Sequence, residues 1–218
     1  NGIETIRMAP HKVAHLGVGY CPEERGIFAS LTAEENLMLP PMIAPGGMSV
    51  EEIYAMFPNL KERAASPGTR LSGGEQQMLA VARILRTGAR LLLLDEISEG
   101  LAPVIVQKLA EMILTLKAKG YTIVLVEQNF RFAAPLADRF YVMEHGTIVK
   151  QFEQGELAQN MGMLQEFLGV FQRFVDIYEQ DARLRRNFTG LICLSNPQYD
   201  LYLERGDPSV SKTLAADS

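Results

Sequence analysis

The sequence predicts an α/β fold in which a mostly parallel sheet is flanked by helices. Two short, almost entirely apolar runs, LLLL at 91–94 and TIVLV at 122–126, lie between helical segments. Such runs are typical of strands buried on both faces of a sheet. Of the 218 residues, 47% are hydrophobic and 22% are charged, which is an ordinary balance for a globular chain. Neither run approaches the roughly 20 residues that a membrane-spanning helix needs.

The first part of the chain predicts one short strand and then a helix-rich stretch. Residues 17–21 favour a strand, and residues 30–39 favour a helix that Ser30 or Thr32 could cap. A second helix is predicted over 49–57. Because the whole stretch 30–88 interrupts the alternation of strands and helices, we interpret it as a helical subdomain.

From residue 74 onward, helices and strands alternate regularly. Pro103 marks the start of the longest predicted helix, and Gly120 marks its end. His145 and Gly146 predict a turn between the last two strands. The predicted elements are helix 74–87, strand 90–95, helix 103–119, strand 121–126, helix 129–138, strand 139–144 and strand 147–152.

The character of the sequence changes after residue 169. Residues 163–186 could continue as an amphipathic helix, and residues 196–218 are polar and interrupted by Pro and Gly. We therefore predict a domain over 1–169 and a C-terminal tail of unknown role, loosely ordered, over 170–218.

Charge and cysteine content exclude some classes of function. The net charge of −5 argues against a nucleic-acid partner, since such proteins usually carry a basic face. Cys21 and Cys193 form no disulfide-like or metal-like pattern, which suits a reducing cytoplasm. The three histidines, His11, His15 and His145, also lack the spacing of metal ligands, so we predict surface or turn positions for them.

The stretch RLSGGEQQ, residues 70–77, predicts an anion site. Ser72 and Gly73 stand directly before the predicted helix 74–87, whose first residue is a second glycine, Gly74. The first N–H groups of a helix have no acceptor within the helix, and the helix dipole favours negative charge there. The turn is therefore suited to a phosphate group.

A second motif, LLLLDE, ends a predicted strand in Asp95 and Glu96. Ligands of open α/β sheets bind beyond the carboxyl ends of the strands. At that position an Asp can hold Mg²⁺, directly or through water, and a Glu can orient or deprotonate an attacking water molecule. The alternative is a strand that simply ends in solvated acids, and the motif alone does not decide between the two.

Together the two motifs resemble the ATP-binding cassette (ABC) ATPases, whose signature motif is matched by LSGGEQQ and whose Walker B strand is matched by LLLLDE. The resemblance implies a P-loop NTPase-like fold that uses ATP and Mg²⁺, with Asp95 serving Mg²⁺ and Glu96 acting as the catalytic base. It implies that residues 97–102 form the D-loop, which communicates across a cassette dimer. The signature motif would contact the γ-phosphate of ATP held mainly by a second cassette, through Leu71, Ser72, Gly73, Gly74 and Glu75.

The resemblance covers residues 3–169 and narrows to the ATPases of branched-chain amino-acid importers. Glu23 stands where most ABC ATPases have Gln, and Gln128 stands where most have His. At both positions the residue found here resembles that of the amino-acid-importer branch. Glu23 would then reach phosphate through Mg²⁺ or water, and Gln128 would bind phosphate without carrying a titratable proton. Ile97 replaces the usual Pro, and we expect a looser turn after Glu96.

The family also needs a P-loop, GxxxxGK[ST], upstream of Glu23, and no such loop precedes that residue here. The stretch GDPSVSKT at 206–213 is similar to the pattern, but only five residues follow it, so it lacks the required helix. We therefore expect the N-terminal part of the domain to be absent from this chain. The isolated chain would then be inactive, and its sheet would lack strands.

The resemblance implies partners and a location as well. The partners would be a second ABC ATPase subunit, integral membrane permease subunits that face 30–88 and the loop of Glu23, and, indirectly, a periplasmic amino-acid-binding protein. The chain would lie at the cytoplasmic face of the membrane. Two alternatives stay open: a non-hydrolytic cassette that lends only its signature motif to an intact partner, and an ABC ATPase for another cargo, such as urea or lipopolysaccharide.

Overall fold

One six-stranded sheet organises the chain, which the computed structural model describes over residues 2–164 and 189–194. The order of strands across the sheet is β1-β2-β3-β6-β4-β5. The strands are β1 (Val18–Cys21), β2 (Leu91–Asp95), β3 (Thr122–Glu127), β4 (Arg139–Glu144), β5 (Thr147–Glu153) and β6 (Thr189–Leu194).

Four of the six strands run in the same direction. β1, β2 and β3 pair in parallel. β6 is antiparallel to both β3 and β4, so β4 runs parallel to β3, while β5 forms a hairpin with β4. The predicted α/β class with a mostly parallel sheet is confirmed. The carboxyl ends of β1 to β4 consequently meet at one edge of the sheet.

Seven α-helices lie wholly within the described residues: α1 (Pro10–Ala14), α2 (Ala33–Met38), α3 (Val50–Met56), α4 (Pro58–Glu62), α5 (Gly73–Arg86), α6 (Pro103–Ala118) and α7 (Phe130–Ala133). Short 3-10 helices span Gly68–Arg70 and Gln154–Glu156, and residues 157–164 are helical. Across the described residues, no helix combines the length and apolarity needed to cross a membrane.

Hydroxyl side chains start three of these helices in the same way. Thr32, Ser49 and Ser72 each accept a hydrogen bond from the backbone N–H three residues later. The Glu at that later position bonds back to the N–H of the capping residue, which completes a capping box. Of the two predicted caps for α2, the structure selects Thr32.

Several predicted elements differ in length or identity from those observed. The helix predicted over 129–138 is only Phe130–Ala133, because Pro135 lacks the N–H that the next helical hydrogen bond needs. Pro58, expected to end a helix, instead occupies the first turn of α4, where its missing N–H costs nothing. Strand β6 was not predicted. The segments 165–188 and 195–218, with most of the predicted tail, lie outside the described residues.

The core lies between the sheet and helices α5 and α6. Leu92 and Leu94 of β2 are fully buried, and so are Leu85 of α5 and Leu109 of α6. Burying a side chain of this size stabilises the fold by on the order of 1.5–3 kcal/mol. The helix that begins at the SGG turn and the strand that ends at Asp95 therefore share one hydrophobic core.

A buried amide fixes the loop that follows Glu23. The Asn36 side chain is fully buried. Its Oδ1 accepts from the Phe28 N–H at 2.8 Å, and its Nδ2 donates to the carbonyls of Phe28, Leu31 and Thr32 at 3.0, 3.2 and 2.9 Å. One side chain thus satisfies four backbone groups between β1 and α2.

We expect Asn36→Ala to lower the free energy of unfolding by ~3 kcal/mol, because it removes four hydrogen bonds, including the acceptor of the Phe28 N–H, from a fully buried position. Urea unfolding followed by circular dichroism measures the change. Gln107→Ala, on an exposed position of α6, is the control and should change the stability by less than about 0.5 kcal/mol. Equal effects of the two variants would contradict the role given to Asn36.

Candidate functional site

The sequence-predicted acids meet at the carboxyl edge of the sheet. β2 ends at Asp95, β3 ends at Glu127, and the loop with Glu23 follows β1 directly. Asp95 lies opposite Val126 in the parallel register. Glu96 and Gln128 are therefore the first residues beyond two neighbouring strands, which brings their side chains together.

Glu96 and Gln128 form a direct hydrogen bond. The Gln128 Nε2 donates to the Glu96 Oε1 at 2.7 Å, and the Glu96 N–H donates to the Val126 carbonyl at 2.9 Å. Glu96 has a φ of +45°, which is unusual for a residue with a side chain and is often found at functional sites. Ile97, expected to loosen this turn, is fully buried and anchors it to the core.

Glu96 belongs to a group of crowded carboxylates. Burial raises the pKa of Glu96 to about 8, a hydrogen bond with Glu99 adds to the rise, and the amide of Gln128 opposes it. The pKa of Glu23 is also raised, first by burial and then by the charges of Glu99, Glu24 and Asp95. These acids repel one another, so a cation would be favoured among them.

Asp95 has a partner that the sequence did not reveal. The Tyr20 hydroxyl donates to the Asp95 Oδ2 at 3.1 Å from the adjacent strand β1. Burial and this hydrogen bond raise the pKa of Tyr20. The signal available in sequence was only that Tyr20 lies in the strand predicted over 17–21.

The donor set at this edge fits Mg²⁺ but does not form a complete cage. Among residues 2–164, no three His, Cys, Asp or Glu side chains converge on one metal position. Mg²⁺ commonly uses one or two carboxylates together with water and substrate phosphates. Asp95 and the crowded acids beside it therefore fit a phosphate-bound Mg²⁺ better than a resident structural metal.

The SGG turn caps helix α5 as the sequence predicts. The Glu75 Oε2 accepts from the N–H and the hydroxyl of Ser72 at 2.7 and 2.8 Å, and the Ser72 Oγ accepts from the Glu75 N–H at 3.3 Å. Partial burial works to raise the pKa of Glu75, but the bonds from Ser72 and the nearby Arg63 outweigh it, so the pKa is lowered. Leu71, just before the turn, is buried and anchors it.

The two glycines leave the turn open on one side and tightly packed on the other. The N–H groups of Gly73 and Gly74 lie in the first turn of α5, where helices offer no internal acceptor. A Cβ on Gly74 would come within 2.9 Å of the Ile105 side chain. Gly74 is thus required for the contact between α5 and α6, while the two N–H groups can bind an anion.

Arg25 joins the loop of Glu23 to the SGG turn, which the sequence analysis missed. Its Nε donates to the Gln77 Oε1 at 3.2 Å, and its Nη1 donates to the Gln76 Oε1 at 3.5 Å. A Cβ on Gly73 would lie 3.3 Å from the same Nη1. The guanidinium places a positive charge directly beside the proposed anion site.

A third residue missed in the sequence is Glu127, the last residue of β3. Its buried carboxylate accepts two hydrogen bonds from Ser98, and burial raises its pKa to about 7 against the opposing effect of those bonds. Sequence offered a weak signal: an acid placed at the end of an apolar strand and beside Gln128.

The structure therefore brings the candidate residues together as two groups. One group contains Asp95, Glu96 and Gln128 with the acids around them, and the other contains the residues of the SGG turn. Within the described part of the chain, no hydrogen bond or ion pair joins the two groups.

Comparison with known proteins identifies the family. The sequence profile of the ABC transporter family matches residues 3–99. The high-affinity branched-chain amino acid transport ATP-binding protein BraG of Pseudomonas aeruginosa is 40% identical over 162 residues, which cover 73% of this chain and 70% of BraG. The probable branched-chain amino acid transport ATP-binding protein LivF of Archaeoglobus fulgidus is 34% identical, with the same two coverages of 73% and 70%.

Solved structures share the fold. A bacterial ABC transporter cassette solved as a dimer has a TM-score of 0.60 at 23% identity, covering 70% of each chain. A cassette in a post-hydrolysis state with ADP and phosphate has a TM-score of 0.59 at 22% identity, covering 71% of each chain. From the profile match and the relatives above 30% identity, this chain belongs to the ATP-binding proteins of ABC transporters.

Proposed function

We propose that this chain is the ATP-hydrolysing subunit of an ABC importer and drives the uptake of branched-chain amino acids through membrane permease subunits. The observation that carries the proposal is the hydrogen bond between Glu96 and Gln128 at the carboxyl edge of the sheet. The cargo follows from the names of the relatives BraG and LivF. Export of lipopolysaccharide is the alternative, since the Escherichia coli protein LptB is 28% identical.

Glu96 acts as the general base in this proposal. A base is most effective when its pKa lies near the working pH, and burial raises the pKa of Glu96 to about 8. Gln128 fixes the orientation of the carboxylate through its amide and donates no proton of its own. Bound ATP would supply the phosphoryl group, and Mg²⁺ held by Asp95, with Glu23 nearby, would neutralise its charge.

The SGG turn serves a second cassette. Leu71 anchors the turn, and the N–H groups of Gly73 and Gly74, with the Ser72 hydroxyl, would bind the γ-phosphate of ATP carried by the partner cassette. Glu75 holds Ser72 in place until then. Hydrolysis would therefore take place between two cassettes, each lending one group of residues to the other.

The surface that follows the Glu23 loop suits a membrane permease. Exposed apolar side chains concentrate there, at Phe28, Met38, Leu39 and Met42, which are 47–60% exposed. Such apolar concentrations mark protein-binding surfaces. The chain would thereby lie at the cytoplasmic face of the membrane, and the periplasmic amino-acid-binding protein would act on it only through the permease.

We expect Glu96→Gln to lower kcat for ATP hydrolysis by at least about 100-fold, because the amide cannot accept the proton of the attacking water. The assay uses the complete gene product with its permease partners. Glu62→Gln, at an exposed position of α4, is the control and should retain full activity. An unchanged kcat for ATP hydrolysis in Glu96→Gln would contradict the role of Glu96 as the general base.

Ser72 and Ser49 offer a matched pair that separates phosphate binding from helix capping. Both cap a helix through the same box of hydrogen bonds, so each change to Ala should cost about 1 kcal/mol of stability. We expect only Ser72→Ala to lower ATP hydrolysis, by about tenfold, because a hydrogen bond to a charged phosphate is lost. Equal losses of ATP hydrolysis in the two variants would show that Ser72 only caps the helix and does not bind phosphate.

The role of Asp95 is tested by Mg²⁺ dependence. We expect Asp95→Asn to raise the Mg²⁺ concentration for half-maximal hydrolysis at least about tenfold, because a neutral ligand attracts the cation less. Asp138→Asn is the control, since Asp138 precedes β4 at the opposite edge of the sheet and pairs with Lys117. An unchanged Mg²⁺ requirement in Asp95→Asn would exclude Asp95 as the ligand.

A further inference from the structure

Glu127 is a buried acid that the proposed mechanism does not use. Its side chain is 2% exposed, and it is the only buried Asp or Glu among the residues 2–164. Burying a carboxylate is costly unless hydrogen bonds or an ion pair compensate. Within the described chain, no Lys or Arg forms an ion pair with Glu127, so hydrogen bonds must provide the compensation.

Both oxygens of Glu127 bind the same residue, Ser98. The Ser98 N–H donates to Oε1 at 2.9 Å, and the Ser98 hydroxyl donates to Oε2 at 2.8 Å. The Asn129 Nδ2 approaches the Ser98 Oγ at 3.5 Å. Two parallel bonds to a carboxylate fix direction as well as distance, and one of them acts on the backbone.

The position of Ser98 gives these bonds a consequence for Glu96. Ser98 lies two residues after Glu96, in the turn that leaves β2. Gln128 holds the side chain of Glu96, and its neighbour Glu127 holds the backbone of Ser98. Glu127, the last residue of β3, and Gln128, the first residue beyond it, thus hold the same turn at two points.

We propose that Glu127 is a positioning residue for ATP hydrolysis, whose buried carboxylate holds Ser98 so that the turn after β2 keeps Glu96 within hydrogen-bonding reach of Gln128. The inference rests on the proposed role of Glu96 as the base. A displacement of a catalytic group by about 1 Å can cost about 100-fold in rate. Hydrogen bonds that fix the turn therefore matter for the rate of hydrolysis.

The chemistry of the contact defines a removal variant and a rescue variant. Leu has nearly the volume of Glu but accepts no hydrogen bond, so Glu127→Leu removes both contacts. Glu127→Gln keeps an oxygen for the Ser98 N–H and offers an N–H to the Ser98 Oγ. Geometry is therefore retained in the Gln variant although the charge is lost.

The first measurement is amide hydrogen exchange of residues 96–101 in the complete gene product. We expect the Ser98 amide to exchange at least about tenfold faster in Glu127→Leu, while the amides of β2 stay protected. Glu127→Gln should exchange like the wild type. An unchanged Ser98 amide in Glu127→Leu would overturn the inference, whatever the ATPase activity.

The second measurement separates positioning from mere folding. We expect Glu127→Leu to lower kcat at least about tenfold with the KM for ATP changed less than about threefold, because the misplaced group acts only in the chemical step. Glu127→Gln should recover kcat to within about threefold of the wild type. If the Ser98 amide exchanges faster in Glu127→Leu but kcat stays normal, the inference is also overturned.

If the amides of β2 also exchange faster in Glu127→Leu, a milder variant is needed to separate positioning from loss of folding. Ser98→Ala removes only the hydroxyl contact, and Ser66→Ala, at a partly buried position before the Gly68–Arg70 turn, is its control. We expect faster exchange at residue 98 and at least about threefold lower kcat in Ser98→Ala alone. If Glu96→Gln abolishes hydrolysis but Ser98→Ala matches Ser66→Ala, the inference fails and the proposed function stands.

Discussion

The parallel pairing of β2 with β3 is the constraint on which the candidate site depends. Asp95 and Val126 face each other in this register, so Glu96 and Gln128 leave the sheet side by side. A shift of one residue would turn each of these side chains to the opposite face of the sheet. A shift that drew Asp95 back by one residue would place its carboxylate in the fully buried position of Leu94, which is costly.

Around this pairing, charge and packing act in opposite directions. Burial, and after it the negative charges of neighbouring acids, raises the pKa values of Glu23 and Glu96 at the carboxyl edge. Apolar anchors hold the same turns closed, with Ile97 buried below Glu96 and Leu71 below the SGG turn. The site therefore keeps its geometry while carrying a charge that favours a cation.

The sequence predicted the elements whose signals are local. Apolar runs gave β2 and β3, the SGG turn gave the start of α5, and the motifs gave Asp95 and Glu96. Contacts between distant residues were missed, such as those of Arg25 with α5 and of Glu127 with Ser98. Periodicity and helix-capping rules describe neighbours in the chain, so they carry no information on which loops meet in space. Strand β6 was missed for a similar reason, since its place between β3 and β4 depends on pairing and not on its own composition.

The capping box at Ser72 has a consequence for selectivity. Glu75 already places a carboxylate on the N–H and hydroxyl of Ser72, so the start of α5 carries a tethered anion of its own. A free anion must compete with this intramolecular ligand, whose effective concentration is on the order of millimolar or higher. Chloride or a stray sulfate gains little from displacing it. In the proposed dimer, a multiply charged phosphate presented by the partner's surface would gain much more, so the turn would discriminate between an ion in solution and one delivered by a partner.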